Sequence, residues 1–147
     1  LGGGYDDITW DNGEASITID DIVGEYTEVT NCYDKTYDWA NWTEVINQES
    51  DVTISKIDDT TISIYNFYGW EDTFTAKVDL DSRTITVDIK PDWGGYYTFC
   101  QYDARDTPVV GTINDDGTIT FSNWTAYYAA YRFSYINSGA TSVLTKK

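Results

Sequence analysis

The sequence has no histidine and no methionine, two cysteines, and 9 Lys and Arg against 25 Asp and Glu. Each shortage excludes something. Without His, the usual general base near neutral pH and the commonest transition-metal ligand are missing. A nucleophilic triad of the ordinary Ser-His-Asp type goes with them. A formal charge of −16 repels phosphate backbones and anionic lipid headgroups, so nucleic acid and a membrane surface are not expected partners. No apolar run approaches the length of a membrane-spanning helix. No Gly-rich nucleotide loop or zinc spacing is present, and no cofactor is expected. Cys32 and Cys100 are the only cysteines. One disulfide and two buried thiols both remain open; a bridge closes a long loop and contributes about 4 kcal/mol through the unfolded state.

What the chain has instead is aromatic residues, 13 Tyr and 6 Trp in 147 positions. Such amphipathic rings suit half-buried sheet surfaces and binding faces. This length fits one domain with a sizeable core. Leu1-Gly2-Gly3-Gly4 reads as a linker outside the fold. Residues 1–21 read as an acidic, partly extended leader, and residues 22–147 as the folded domain.

The clearest pattern lies in residues 73–90. Phe74, Ala76, Val78 and Leu80 alternate with polar residues, and after Asp81-Ser82 so do Ile85, Val87 and Ile89. Strand side chains point to opposite faces in turn, so this is a hairpin with one greasy face. The rest of the chain repeats the pattern. A first strand is expected over 22–30, broken at Gly24, where glycine marks a bulge, a bend or a close approach. One long irregular strand is expected over 42–57, and another over 62–68. Further strands are expected over 96–102, over 109–113 and 118–121 around the turn Asn114-Asp115-Asp116-Gly117, over 127–135, and over 141–144 after a turn at 137–139. The fold class is therefore all-β: an antiparallel up-and-down barrel of roughly 8–10 strands.

The opening Ile22-Val23-Gly24-Glu25-Tyr26-Thr27 and the meander after it resemble the lipocalin-like (calycin-like) barrel domains of secreted lipoproteins from Bacteroidetes. Gly24 and Tyr26 correspond to a Gly-x-Trp on the first lipocalin strand, with Tyr in place of Trp. The hairpin at Asp116-Gly117, followed by Thr118-Ile119-Thr120-Phe121, also recurs in that group. Arg132 is the candidate for the arginine that closes a lipocalin barrel. The resemblance implies an extracytoplasmic location, in the periplasm or on the cell surface, often on an outer-membrane lipid anchor. It implies no established enzymatic activity.

Strand parity points to a candidate site. In an up-and-down barrel, loops alternate between the two ends. The loops holding Trp39 and Trp42, Trp70, and Trp93 fall at one end, with Tyr68 and Tyr96 beside them. The turns at 58–60, 81–82 and 104–107 fall at the other, with Trp124. Aromatics around a barrel mouth make a binding site, and flat indole faces stack on sugar rings. The competing reading has the rings plug that end. The interior is a second candidate, lined by Tyr97, Phe99 and the aromatic face of 127–135, although small barrels are commonly filled by their own side chains. Glu25, Glu28, Glu44 and Asp103 are candidates for a glycosidase-like carboxylate pair, but no spacing selects two of them. The Asp-rich turns at 58–59 and 114–116 lack the full ligand spacing of a calcium loop. Asn41-Trp42-Thr43 and Asn123-Trp124-Thr125 match the N-glycosylation acceptor pattern.

The sequence thus reads as a monomeric, non-catalytic, extracytoplasmic module that binds a glycan or a small amphipathic molecule. A structural or adhesion domain making protein–protein contacts in the cell envelope is the alternative. A lipid anchor upstream of Leu1 is part of the expectation.

Overall fold

The computed structural model describes residues 10–11, 14–15, 17–34, 41–89, 97–102, 104, 107–128 and 137–147. The hairpin β1 (Trp10–Asp11) and β2 (Glu14–Ala15) comes first. A single helical turn, α1 (Ile19–Ile22), follows. Then come β3 (Gly24–Asp34), β4 (Thr43–Asp58) and β5 (Thr61–Tyr65). A 3-10 turn at Phe67–Gly69 leads to β6 (Thr73–Asp79) and β7 (Thr84–Val87). The last strands are β8 (Tyr97–Gln101), β9 (Val110–Ile113), β10 (Ile119–Tyr128) and β11 (Asn137–Lys146).

The strands β11, β3, β4, β5, β6, β7, β9 and β10 pair in that order, and β10 pairs back onto β11. Eight antiparallel strands thereby close into a barrel. The expected all-β up-and-down barrel is what forms. β8 lies opposite the second half of β10 and β9 opposite its first half, so the two are halves of one interrupted strand. The long strand expected over 42–57 is β4, irregular as expected, with a register slip opposite Thr30 and Cys32.

Three expectations change. Ile22 ends α1 rather than opening a strand, because Ile19 and Ile22, three apart, bury together on one side of a helical turn. The strand expected over 118–121 runs on as β10 to Tyr128, taking in Tyr127 and Tyr128; the rest of the strand expected over 127–135, with Arg132, lies outside the described residues. The turn expected at 137–139 is the start of β11, where Gly139 at φ +50° sits in a bulge. Bulges and turns both recruit glycine at positive φ, so the local sequence looks the same for either.

Inward residues near α1 are aliphatic, among them Ile54, Ile62, Ile85, Ile119 and Leu144, all buried. α1 closes that end of the barrel. Ile17, Ile19 and Ile22 join the same core. The Tyr26 hydroxyl donates to the Ile22 carbonyl at 2.7 Å, and Lys146 Nζ donates to the Asp21 carbonyl at 2.8 Å. Gly24 is needed here. Its φ is +149°, and a Cβ on it would lie 2.8 Å from Cε of Lys146. Among the described residues, no helix is long and apolar enough to cross a membrane.

Cys32 and Cys100 are both buried thiols, not a disulfide. Cys32 points into the barrel from β3. Cys100 follows the inward Phe99 and so faces the other side of the wall. β11 and β10 lie between their strands, about 14 Å along the sheet, well beyond the reach of a bridge.

Gly111 on β9 is a close approach of another kind. A Cβ there would lie 2.5 Å from Cε1 of the buried Phe121 ring. Gly111→Ala is expected to destabilise the fold by about 1–3 kcal/mol through overpacking. Urea unfolding monitored by Trp fluorescence checks this, and an unchanged midpoint contradicts it.

Candidate functional site

Buried residues alternate along β3 as Tyr26, Glu28, Thr30, Cys32 and Asp34. Five inward positions of one strand thus carry two carboxyls, two hydroxyls and a thiol into a barrel that is otherwise mostly apolar. A buried carboxylate costs several kcal/mol unless donors surround it. The segment between β5 and β6 supplies them.

That segment turns inward at Asn66, which adopts a left-handed φ of 69°. Asparagine tolerates this region because its short amide bonds to nearby backbone. Here Nδ2 donates to the Asp51 carbonyl at 2.9 Å, and Oδ1 accepts the Glu71 N–H at 2.8 Å. Phe67 and Tyr68 are carried into the barrel. The Phe67 ring meets Phe99, Trp124 and Phe121 edge-on at 4.9, 5.1 and 5.6 Å.

Tyr68 is also left-handed, at φ 58°. For a bulky side chain that costs of order 1–3 kcal/mol and persists only where surroundings over-determine it. They do. Its N–H donates to Glu28 Oε1 and its hydroxyl to Asp34 Oδ2, both at 2.6 Å. The hydroxyl lies 3.4 Å from Cys32 Sγ, and the carbonyl accepts from Gln48 Nε2 at 3.4 Å. Burial first, then the bonds to Asp34 and Cys32, push the phenol far above its ordinary range. It therefore stays protonated and acts as a donor.

Glu28 is the hub. Oε2 accepts the Thr30 hydroxyl at 2.9 Å, Thr30 and Ser142 share a bond of 2.6 Å, and Trp124 Nε1 donates to Ser142 at 3.0 Å. Burial raises the Glu28 carboxyl above its ordinary range, against the opposing pull of the Tyr68 N–H, Thr30 and Ser142. The arrangement fixes a loop inside a barrel.

Trp42 and Trp70 lie at the same barrel end, opposite the turn at 81–82, as strand parity predicts. Trp42 is exposed. Trp70 is half-buried, edge-on to Tyr68 at 5.2 Å and Trp124 at 5.9 Å, so it belongs partly to the plug. Tyr68, expected beside the rim, is inside, because Asn66 ends the strand and the backbone reverses. Trp124, expected at the far end, points into the interior from within β10. Trp39, Trp93 and Tyr96 lie outside the described residues, as does Asp103. Glu25 and Glu44 are exposed on the outer wall, while Glu28 is inside, so these carboxylates are not brought together. The turn acids have local work: Asp58 Oδ1 accepts the Thr60 N–H at 2.9 Å, and Asp116 Oδ1 accepts that of Thr118 at 3.0 Å. In the second glycosylation pattern, Trp124 and Thr125 are fully buried within β10.

Glu28 and Tyr68 are each among the candidates, but in separate sites, and their network with Asp34 is not expected. The one available signal was parity. If Tyr26 points inward, so do residues 28, 30, 32 and 34.

Compared with known proteins, the chain matches no family model, no curated protein and no solved structure.

Because the folded-state value of Glu28 is raised, its neutral form is favoured in the barrel. That contribution is full below the ordinary carboxylate range and is lost as pH rises through the raised value. Glu28→Gln keeps an acceptor for the Tyr68 N–H and removes the titration. The variant is expected to gain stability relative to the parent as pH rises above the ordinary carboxylate range. Thermal unfolding across that rise in pH checks it; a difference independent of pH contradicts it.

Proposed function

We propose that this protein is a non-catalytic binding module that meets a glycan or a small amphipathic molecule at the barrel end bearing Trp42 and Trp70. The exposed Trp42 carries this reading. It stands at the start of β4 at that end, with the half-buried Trp70 and the exposed Glu71 on the segment that covers the barrel. An indole face stacks on the apolar face of a sugar ring, and a neighbouring carboxylate accepts from its hydroxyls. The interior supports an end-on ligand rather than one held within. Phe67, Phe74, Phe99, Phe121 and Trp124 are fully buried there and fill the space beneath the plug. The resemblance to exported lipoprotein domains supports an extracytoplasmic setting.

A Trp-fluorescence titration against neutral oligosaccharides and small amphipathic molecules tests the reading. At least one is expected to give a saturable change, weakened about tenfold by Trp42→Ala, the equivalent of about 1.4 kcal/mol. No response from any of them, or equal binding by the variant, overturns it.

A further inference from the structure

Among the described residues, β3 and β4 carry three exposed large apolar side chains, Tyr33, Ile46 and Ile57, while Tyr65 on β5 and Val110 on β9 stand singly. On β6 the outward residues are Thr73, Thr75, Lys77 and Asp79, all exposed and all polar. On β3 and β4 the outward positions include Tyr33, 49 % exposed, and Ile46, 65 % exposed. Val29 pairs with Val143 of β11 on the same wall, and both are half-buried. These residues alternate with the inward Thr30, Cys32 and Val45, so they share one face.

The face is rigid. Ile46 sits beside a bulge in which Asn47 takes φ 52° and its N–H donates to Asn31 Oδ1 at 2.8 Å. Two acids are set among the apolar groups. Glu44 lies opposite Tyr33 and Glu49 opposite Val29. Neither forms an ion pair among the described residues, where Lys56, Arg83 and Lys147 are engaged with Asp20, Asp59, Asp115 and Asp51.

We propose that the outer wall of β3 and β4 docks a basic, amphipathic segment of a partner protein. Charge selects the occupant. A second copy brings the same Glu44 and Glu49 and another −16, and anionic lipid and nucleic acid are repelled likewise. A basic segment neutralises the two carboxylates while its apolar residues cover Tyr33, Ile46 and Val29. An outer wall without a concavity suits an extended or helical segment better than a small molecule, which needs one. The surface lies on the outer wall, starting two residues from Trp42, and its argument does not use the glycan reading.

The test uses the full chain and a synthetic amphipathic helix of Lys and Leu, with a Lys/Ser peptide of equal charge as control. Amide shifts are followed by NMR. The Lys/Leu peptide is expected to bind saturably, with shifts concentrated in β3 and β4. Tyr33→Ser combined with Ile46→Thr is expected to weaken it at least tenfold, as is Glu44→Gln with Glu49→Gln. Asp79→Asn with Asp81→Asn, on another face, is expected to leave it unchanged. Shifts spread evenly over the barrel, equal binding of the Lys/Ser peptide, or indifference to the wall variants overturn the proposal. Self-association on sedimentation that is lost in the Tyr33/Ile46 variant also overturns it, in favour of a second copy. Should a wall variant fail to fold, the location of the shifts in the parent protein still decides.

Discussion

A carboxyl group on the inner wall of a closed barrel must be given donors, and Glu28 is such a group. β3 is held between β11 and β4 over most of its length, so Glu28 cannot rotate out without breaking the ladder. Glu28 is fully buried, so no bulk water reaches it. Donors must come from the protein, and the chain supplies them by folding one connection inward. Tyr68 gives its N–H to Glu28 and its hydroxyl to Asp34, six residues further along the same strand. One residue thereby satisfies both acids, and its left-handed backbone is the strain that this geometry stores.

The consequences reach both ends of the barrel. Insertion of Tyr68 requires Phe67 to enter with it, and Phe67 completes the aromatic cluster around Trp124. Trp70 then leans on Tyr68 and becomes part of the cover. At the opposite end α1 does the equivalent work with Ile19 and Ile22. With an aliphatic plug below and an aromatic one above, the exposed surfaces rather than the lumen offer room for recognition. Trp42 at the end and Tyr33 with Ile46 on the wall are among the apolar groups exposed there.

How far this was legible depends on which face carries the grease. In residues 73–90 the apolar side chains are also the inward ones, so alternation gave the hairpin, its turn and the strand parity of the whole barrel. Along β3 the rule inverts. Val29 and Tyr33 face outward while Glu28, Thr30 and Asp34 face in, and hydropathy alone assigns them the wrong way round. Only Tyr26 and Cys32 kept the correct parity. The same limit hid the plug. Ile62, Ile64 and Tyr68 share parity, so they read as one strand, but Asn66 takes a left-handed conformation and turns the chain inward. Tertiary satisfaction of Glu28, which no local pattern encodes, decides that turn.

The acidity of the chain divides by the same logic of satisfaction. Many carboxylates are consumed locally. Asp58, Asp72, Asp79 and Asp116 each accept a backbone N–H from the residues just after them. For Asp58 the Thr60 N–H comes first among the causes, and for Asp116 the Thr118 hydroxyl, of a carboxyl held below its ordinary range. These acids shape turns and need no partner. Glu28 and Asp34 are consumed by Tyr68. Glu44 and Glu49 have neither role. Both lie within β4, Glu44 at its start and Glu49 further along, on a face shared with exposed Tyr33 and Ile46. A net charge of −16 says little about recognition while all acids count alike. Once the turn-capping and buried ones are set aside, the charge left on the β3–β4 wall distinguishes that surface from the polar exterior of β6.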